Sequence, residues 1–379
     1  MRYALVHEWL TPNATGGSEL VVREILKYVD ADLYALIDFE STNPESYLYG
    51  RQIGTTFLQN FPLVSGNIQK YLPFFPLAIE QLDLRNYDIV LSSSHAVAKG
   101  ILTSPSQMSV CYCHTPMRYA WDLTYDYLQR SKAGRGIAGI YTRYLLQSLR
   151  QWDVISANRV DYFIANSRHT ANRIWRCYRR EAEVIYPPVD TERFTYQEEK
   201  EDFFLTVSRL VSYKQIRLIV ESFNQLGYPL IIIGDGPELS NLKQIAKANI
   251  IFKGTQPNEV VEEFMRKARA FVYAACEDFG IALVEAQACG TPVIAYGKGG
   301  ALETVIDLRK CEKSATGLLF FEQNVKSLVE AVETFLQFKH QFRAESCYLQ
   351  ATRFNKEIFK SRFLEFLEIC FASWSSRSG

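Results

Sequence analysis

At 379 residues the chain is too long for one ordinary hydrophobic core, and two domains are expected. A composition of 47% hydrophobic and 22% charged residues is that of a globular protein and excludes a disordered or fibrous one. Lys and Arg total 42, as do Asp and Glu, so no net charge draws the chain toward nucleic acid or an acidic partner.

The chain opens on an apolar strand, residues 3–7, which is too short to read as a secretion signal. A loop through Pro12, Asn13 and Thr15 leads to a helix over about 18–28. Gly16-Gly17-Ser18-Glu19 marks the junction. Two glycines let the backbone approach a ligand just before a helix N-terminus, although the same pair suits a plain tight turn. This is not the G-x-G-x-x-G dinucleotide fingerprint. Asp30-Ala31-Asp32 has the form of a metal-binding D-x-D, but it follows a helix and reads as a solvated turn. Residues 40–80 are irregular and rich in Pro, Phe and Tyr, with no assignable chemistry. Pro73 and Pro76 break the most apolar stretch there, and no run reaches the roughly 20 residues that span a bilayer.

A strand over 87–91 precedes Ser92-Ser93-Ser94-His95. Another over 108–113 ends at His114-Thr115-Pro116-Met117-Arg118-Tyr119-Ala120-Trp121-Asp122. A histidine at the carboxyl end of a parallel strand sits where α/β proteins place ligands, though a lone histidine also serves structure. The eight cysteines include no C-x-x-C pair, so reduced, mostly buried thiols are expected and zinc is not. From Arg118 to Arg180, twelve Lys/Arg oppose four Asp/Glu. The helix expected over 137–160 sets Arg143 and Arg150 beside Tyr141, Tyr144, Leu145 and Leu146. Such a helix suits an anionic membrane surface; a solvated basic face over an ordinary apolar stripe is the preferred reading.

Strands over 161–165 and 183–186 follow, the first leading into Asn166-Ser167-Arg168, the second stopped by Pro187-Pro188. Between Pro187 and Glu201 prolines give way to charge, which marks a domain boundary. A second strand–helix series has strands over 203–207, 230–233, 250–252, 271–274 and 292–295. Regular alternation implies a parallel sheet with helices on both faces. Near the end, Phe354, Phe359, Phe363, Phe366 and Leu367 recur at helical spacing and read as core-facing.

Loops at the carboxyl ends of the second series carry polar chemistry. They hold Arg209 and Lys214; Gly234-Asp235-Gly236-Pro237-Glu238; Lys253-Gly254-Thr255-Gln256; and Gly297-Lys298-Gly299-Gly300 with Glu303. Arginine offers phosphate a bidentate fork and lysine a point charge. The fifth loop, after 271–274, carries Glu277 where the strand ends, and Glu285 lies within a helix expected over 279–289. Carboxylates accept hydrogen bonds from sugar hydroxyls, and a helix N-terminus holds an anion, so such a site suits a polyol joined to a phosphate.

In order, these motifs resemble the retaining glycosyltransferases of family 4. The resemblance rests on Gly16 to Glu19, His114-Thr115-Pro116, Asn166-Ser167-Arg168, Tyr186-Pro187-Pro188-Val189-Asp190, Ser208-Arg209-Leu210 with Lys214, Gly234 to Pro237, and the E-x7-E pair Glu277 and Glu285. Residues 292–305 with 114–122 are similar to a bacterial subgroup that uses GDP-mannose for cell-surface polysaccharides.

The resemblance implies an α/β GT-B fold, two Rossmann-like domains with doubly wound parallel sheets facing across a cleft. They would span 1–190 and 201–355, with a terminal helix of about 356–379 packing back on the first. It implies a nucleotide-sugar donor, a glycan or lipid-linked acceptor, and no cofactor or metal. The basic segment 118–180 suggests contact with the inner face of an anionic membrane, and a cytoplasmic place is expected. Arg209 and Lys214 would bind the donor diphosphate, and Gly16 and Gly17 would give backbone contacts to the phosphate or the acceptor. Glu277 would hold sugar hydroxyls, assisted by the backbone of Phe279, Gly280 and Ile281. Glu285 would bind the ribose, Lys253 to Gln256 would lie near the base, and His114 would lie over the sugar. Gln215 departs from the family, where Gly, Arg or Asn follows the lysine. A UDP-sugar donor, a nucleotide-sugar epimerase and a non-catalytic donor-binding subunit are the alternatives.

Overall fold

The computed structural model describes residues 1–11, 16–125, 128 and 136–378. The expected loop at Pro12, Asn13 and Thr15, and part of the basic segment within 126–135, lie outside the described residues. The chain divides into two compact units, residues 1–187 with 360–379, and residues 188–359.

The first unit is built on seven parallel strands: β1 (Tyr3–His7), β2 (Ala31–Ala35), β3 (Ile53–Gly54), β4 (Ile89–Ser94), β5 (Met108–Cys113), β6 (Tyr162–Ala165) and β7 (Glu183–Val184). Their order is β3-β2-β1-β4-β5-β6-β7. Chain direction across the sheet reverses between β1 and β4, the place where open α/β sheets bind ligands. β4 and β5 are buried throughout because both sheet faces are covered.

Two expectations change here. Asp30-Ala31-Asp32 is no solvated turn: Ala31 begins β2, and Asp32 accepts a hydrogen bond from Tyr87 Oη at 2.7 Å. Asp32 lies on the open side of β2 and Asp30 just before it, and together they mask a strand. The stretch 40–80 also gains order, as β3 and short helical turns such as Phe75–Glu80.

The second unit has six parallel strands: β8 (Phe204–Val207), β9 (Leu230–Ile233), β10 (Ile250–Gly254), β11 (Ala270–Tyr273), β12 (Val293–Tyr296) and β13 (Gly317–Phe320). The order β10-β9-β8-β11-β12-β13 reverses between β8 and β11. β13 was not expected, since four residues beginning with glycine make a weak pattern, yet all four are buried. Residues 188–200 pack into this unit. Val189 N–H donates to Phe354 O at 2.9 Å, and Lys200 Nζ donates to Arg266 O at 2.8 Å and Thr291 Oγ1 at 3.0 Å. Burial pushes the Lys200 ammonium down to about 8.

The helix Lys356–Ser378 ends the chain. Phe359 is buried in the second unit, and from Lys360 onward the helix belongs to the first. There Phe363 is buried, Arg362 pairs with Glu183 at 2.6 Å, and the Lys360 ammonium lies 4.8 Å from the Tyr28 ring centroid. In the first unit's helix Gly136–Ala157, Leu146 and Leu149 face inward, while Ile137, Ile140, Tyr141 and Tyr144 are exposed. Its outer face is therefore apolar and aromatic, not merely basic. All eight cysteines are free thiols, five of them buried. Among the described residues, no helix is long and apolar enough to cross a membrane.

Candidate active site

The second unit places charge at its switch point. Arg209 follows β8 and is exposed; no carboxylate pairs with its guanidinium among the described residues. Lys214 closes the turn Ser212–Lys214 that follows. Glu277 follows β11, across the strand reversal. Lys214 Nζ hydrogen-bonds Glu277 Oε1 as an ion pair, with the two side chains 17% and 19% exposed. Tyr273, the last residue of β11, lies between them. Its hydroxyl accepts from Lys214 Nζ at 2.9 Å and donates to Glu277 Oε1 at 2.8 Å. Burial favours neutral lysine, but Glu277 and Tyr273 outweigh it and hold the ammonium's pKa above the ordinary value. Burial, then the Glu277 charge, raises the Tyr273 phenol. Sequence reading missed Tyr273, although a polar atom ending a buried strand was the available signal.

Glycines hold these loops against one another. A Cβ on Gly234 would lie 2.0 Å from Ser208 O, and one on Gly236 2.4 Å from Leu210 O, so the Gly-Asp-Gly turn props the Arg209 loop. Gly299, at φ +68°, and Gly300 pack likewise on the backbone of Glu277 and Phe279, and Gly300 N–H donates to Glu277 O at 2.9 Å. The loop after β12 thus shapes the Glu277 backbone.

Gly280 takes φ +88° and starts the helix at Ile281, two residues later than expected, because the turn out of β11 requires a left-handed residue. The helix Ile281–Ala288 carries Glu285. Burial lifts the Glu285 carboxyl to about 7, with Arg193 at 3.5 Å pulling the other way. Arg193, from the turn Thr191–Arg193, was not singled out in the sequence. Lys253 Nζ lies over the Phe264 ring at 5.7 Å, and Gln256 Nε2 donates to Lys253 O at 2.6 Å.

The first unit gathers its own polar groups beside its switch point. His114 follows β5, and Asn166 Nδ2 donates to His114 O at 3.0 Å, which gives Asn166 a supporting role. His114 Nε2 lies 2.9 Å from Ser93 Oγ in β4, and Ser93 pairs in register with His7 of β1. Burial, with His95 and His7 nearby, holds the His114 pKa well below an ordinary histidine's, so the ring is neutral. Gly17 begins the helix Gly17–Tyr28, and Gly16 N–H donates to Glu19 Oε2 at 2.9 Å. Glu8 is fully buried. Oε1 accepts from the N–H groups of His95, Ala96 and Ala98 and from Ser94 Oγ, and Oε2 from Val97 N–H at 2.9 Å. Burial works to raise the Glu8 pKa, but nearby His95 and then the backbone bonds outweigh that and hold the carboxyl below its ordinary value. Among the described residues, no group of three or more His, Cys, Asp or Glu is arranged to hold a metal ion.

A free cation beside a lysine–carboxylate pair, at the switch point of a parallel sheet, suits a ligand bearing phosphate and hydroxyls. Residues 15–193 match the family described as Glycosyltransferase Family 4, and residues 189–346 match Glycosyl transferases group 1. The chain belongs to glycosyltransferase family 4, with the GT-B fold of two Rossmann-like domains. It is 24% identical over 331 residues to the alpha-1,3/1,6-mannosyltransferase of Saccharomyces cerevisiae, covering 72% of this chain and 63% of that protein. It is 28% identical over 211 residues to the GDP-mannose-dependent alpha-(1-6)-phosphatidylinositol monomannoside mannosyltransferase of Mycolicibacterium smegmatis, covering 47% and 54% respectively. The chain spans roughly half to two thirds of the length of such curated relatives. Anabaena HepE, in complex with UDP, superposes with TM-score 0.68 at 18% identity over 97% of this chain and 100% of that one, a likeness of fold.

Proposed function

We propose that this glycosyltransferase moves a mannosyl group from GDP-mannose to a glycan or lipid-linked acceptor, with retention of configuration and without a metal. The carrying observation is the Lys214–Glu277–Tyr273 group near exposed Arg209. Departure of the nucleotide leaves a diphosphate that gains negative charge, and preorganised cations stabilise that change. Arg209 and Lys214 supply them, helped by the unpaired N–H groups that open the helix at Ile281. Lys214 turns from Glu277 toward the diphosphate, which frees the carboxylate to accept from sugar hydroxyls. Retention then follows from acceptor attack on the face that the leaving group departs, with no glutamate nucleophile. Glu285 accepts from the ribose. Phe279 and Gly280 shape the sugar side, and His114 meets a sugar hydroxyl.

Mannosyltransferases among the relatives, several of them named for GDP-mannose, support this donor. The exposed Ile137, Ile140, Tyr141 and Tyr144 support peripheral contact with an anionic membrane that holds the acceptor. The test is thermal shift and hydrolysis with GDP-mannose, UDP-glucose, UDP-N-acetylglucosamine and UDP-galactose, with EDTA present. Stabilisation and turnover by GDP-mannose alone are expected. Preference for a UDP-sugar overturns the donor, loss of turnover in EDTA overturns metal independence, and epimerised sugar without acceptor overturns transfer.

A further inference from the structure

A chain of buried polar groups joins His114 to the Gly16 turn. His114 Nε2 lies 2.9 Å from Ser93 Oγ, and Ser93 Oγ lies 3.2 Å from His7 Nδ1. His7 Nε2, enclosed and without a hydrogen bond, lies 3.7 Å from Glu19 Oε1. The other carboxylate oxygen, Oε2, accepts from Gly16 N–H and Ser18 Oγ–H, each at 2.9 Å. His7 and Ser93 are fully buried.

Counting protons gives this chain a direction. Burial works to raise the Glu19 pKa, but the facing His7 ring, with His95 nearby, holds it at about 2, so Glu19 only accepts. The nitrogen facing it must carry a proton, which makes His7 the Nε2–H tautomer. Its Nδ1 then accepts. The Ser93 carbonyl, also 3.2 Å away, has no proton to give, so the donor is Ser93 Oγ–H. With that proton used, Ser93 Oγ accepts from His114, which must carry its proton on Nε2. His114 Nδ1 makes no hydrogen bond among the described residues and is not enclosed. It is an open lone pair.

We propose that Glu19, His7 and Ser93 are positioning residues that fix His114 as its Nε2–H tautomer, so that Nδ1 accepts a hydrogen bond from a hydroxyl of the bound sugar. This rests on the reading of His114 as sugar-facing, but the tautomer itself can be measured without substrate.

Glu19→Gln is the sharpest test, because it keeps shape and reverses polarity three groups away from His114. Gly16 N–H and Ser18 Oγ–H still need an acceptor, so the amide oxygen takes their side and the amide N–H2 faces His7. His7 must then accept at Nε2 and carry its proton on Nδ1. Ser93 Oγ–H turns to His114 Nε2, and His114 becomes the Nδ1–H tautomer. Long-range 15N–1H correlation spectra of the histidine-labelled chain read this directly, with the His114 signals assigned by their loss in His114→Asn. The expected result is Nε2–H in the wild type and Nδ1–H in Glu19→Gln, with Ser93→Ala giving a mixture. Nδ1–H in the wild type, as a doubly protonated His7 would produce, overturns the proposal. So does a His114 tautomer unmoved in Glu19→Gln. In GDP-mannose hydrolysis, Glu19→Gln should lower kcat about tenfold with KM within about twofold. An inverted tautomer with unchanged kcat overturns the role given to Nδ1. Absence of hydrolysis by the wild type counts against the donor assignment, and the tautomer spectra still decide the relay.

Discussion

The carboxyl edges of the two sheets hold their polar groups in opposite ways. In the first unit His7 and Glu8 are fully buried, His114 is 8% exposed, and Glu8 takes five donors from its own chain. In the second, Arg209 is exposed, and Lys214 and Glu277 pair with each other and Tyr273 while still partly open to solvent. A buried carboxylate whose acceptor sites are filled by backbone N–H groups organises the fold. A partly exposed ion pair keeps lone pairs and ammonium hydrogens for a ligand and can exchange partners when one arrives. The same residue types therefore predict different losses in the two units.

Glu8→Ala should break the first pattern most. It strands five donors in a closed loop and should cost about 3–5 kcal/mol, read from urea unfolding. A cost below about 1 kcal/mol would make Glu8 a ligand group instead. Lys214→Ala should do the reverse and lower kcat/KM by about 100- to 1,000-fold with a much smaller stability change. Tyr273→Phe, which removes only the bridging hydroxyl, should cost about tenfold in kcat/KM.

Glu285 sharpens the contrast through pH. Its carboxyl is raised to about 7, so the protonated form is favoured by the fold and its contribution to stability is lost as pH rises through 7. A ribose hydroxyl needs the carboxylate, so binding should tighten over the same window. Calorimetry with GDP should show Kd falling by up to about tenfold from roughly pH 6 to 8. Glu285→Gln should flatten that change, and an equal slope in both proteins would remove the ribose assignment. The smallest effect concerns Gln215, which holds φ +56° just after Lys214. Gln215→Gly should stabilise the chain by about 1 kcal/mol, measured by unfolding, because only glycine meets a left-handed backbone without a Cβ penalty.

Much of the fold was legible because a buried parallel strand is a short apolar run. β1 and β5 fall where that pattern placed them, and β8 to β12 fall within a residue or two. β2 and β13 were hidden, one by Asp30 and Asp32 at its start, the other by its brevity and opening glycine. The motif residues were legible as well, since loops at strand ends interrupt the apolar pattern. Their partners were not. Tyr273 carried a signal, a polar atom ending a buried strand, but Arg193, His7 and Ser93 lie in runs where nothing local distinguishes a polar side chain that meets a catalytic group from one that meets solvent.

The sequence alone determined two α/β units, a site at the carboxyl ends of their strands, and the family's E-x7-E pair. Those properties follow from local periodicity and from spacing along one strand–loop–helix. Only the tertiary structure decided which charges neutralise one another and which way the histidine chain is polarised. Lys214 and Tyr273 are 59 residues apart, and His7 and Ser93 are 86 apart. Contacts at that separation depend on strand order, because β8 adjoins β11 and β1 adjoins β4 only after the crossovers have formed. Hydrogen bonds act over a few ångströms, so the identity of each partner is written in sheet topology and not in neighbouring residues.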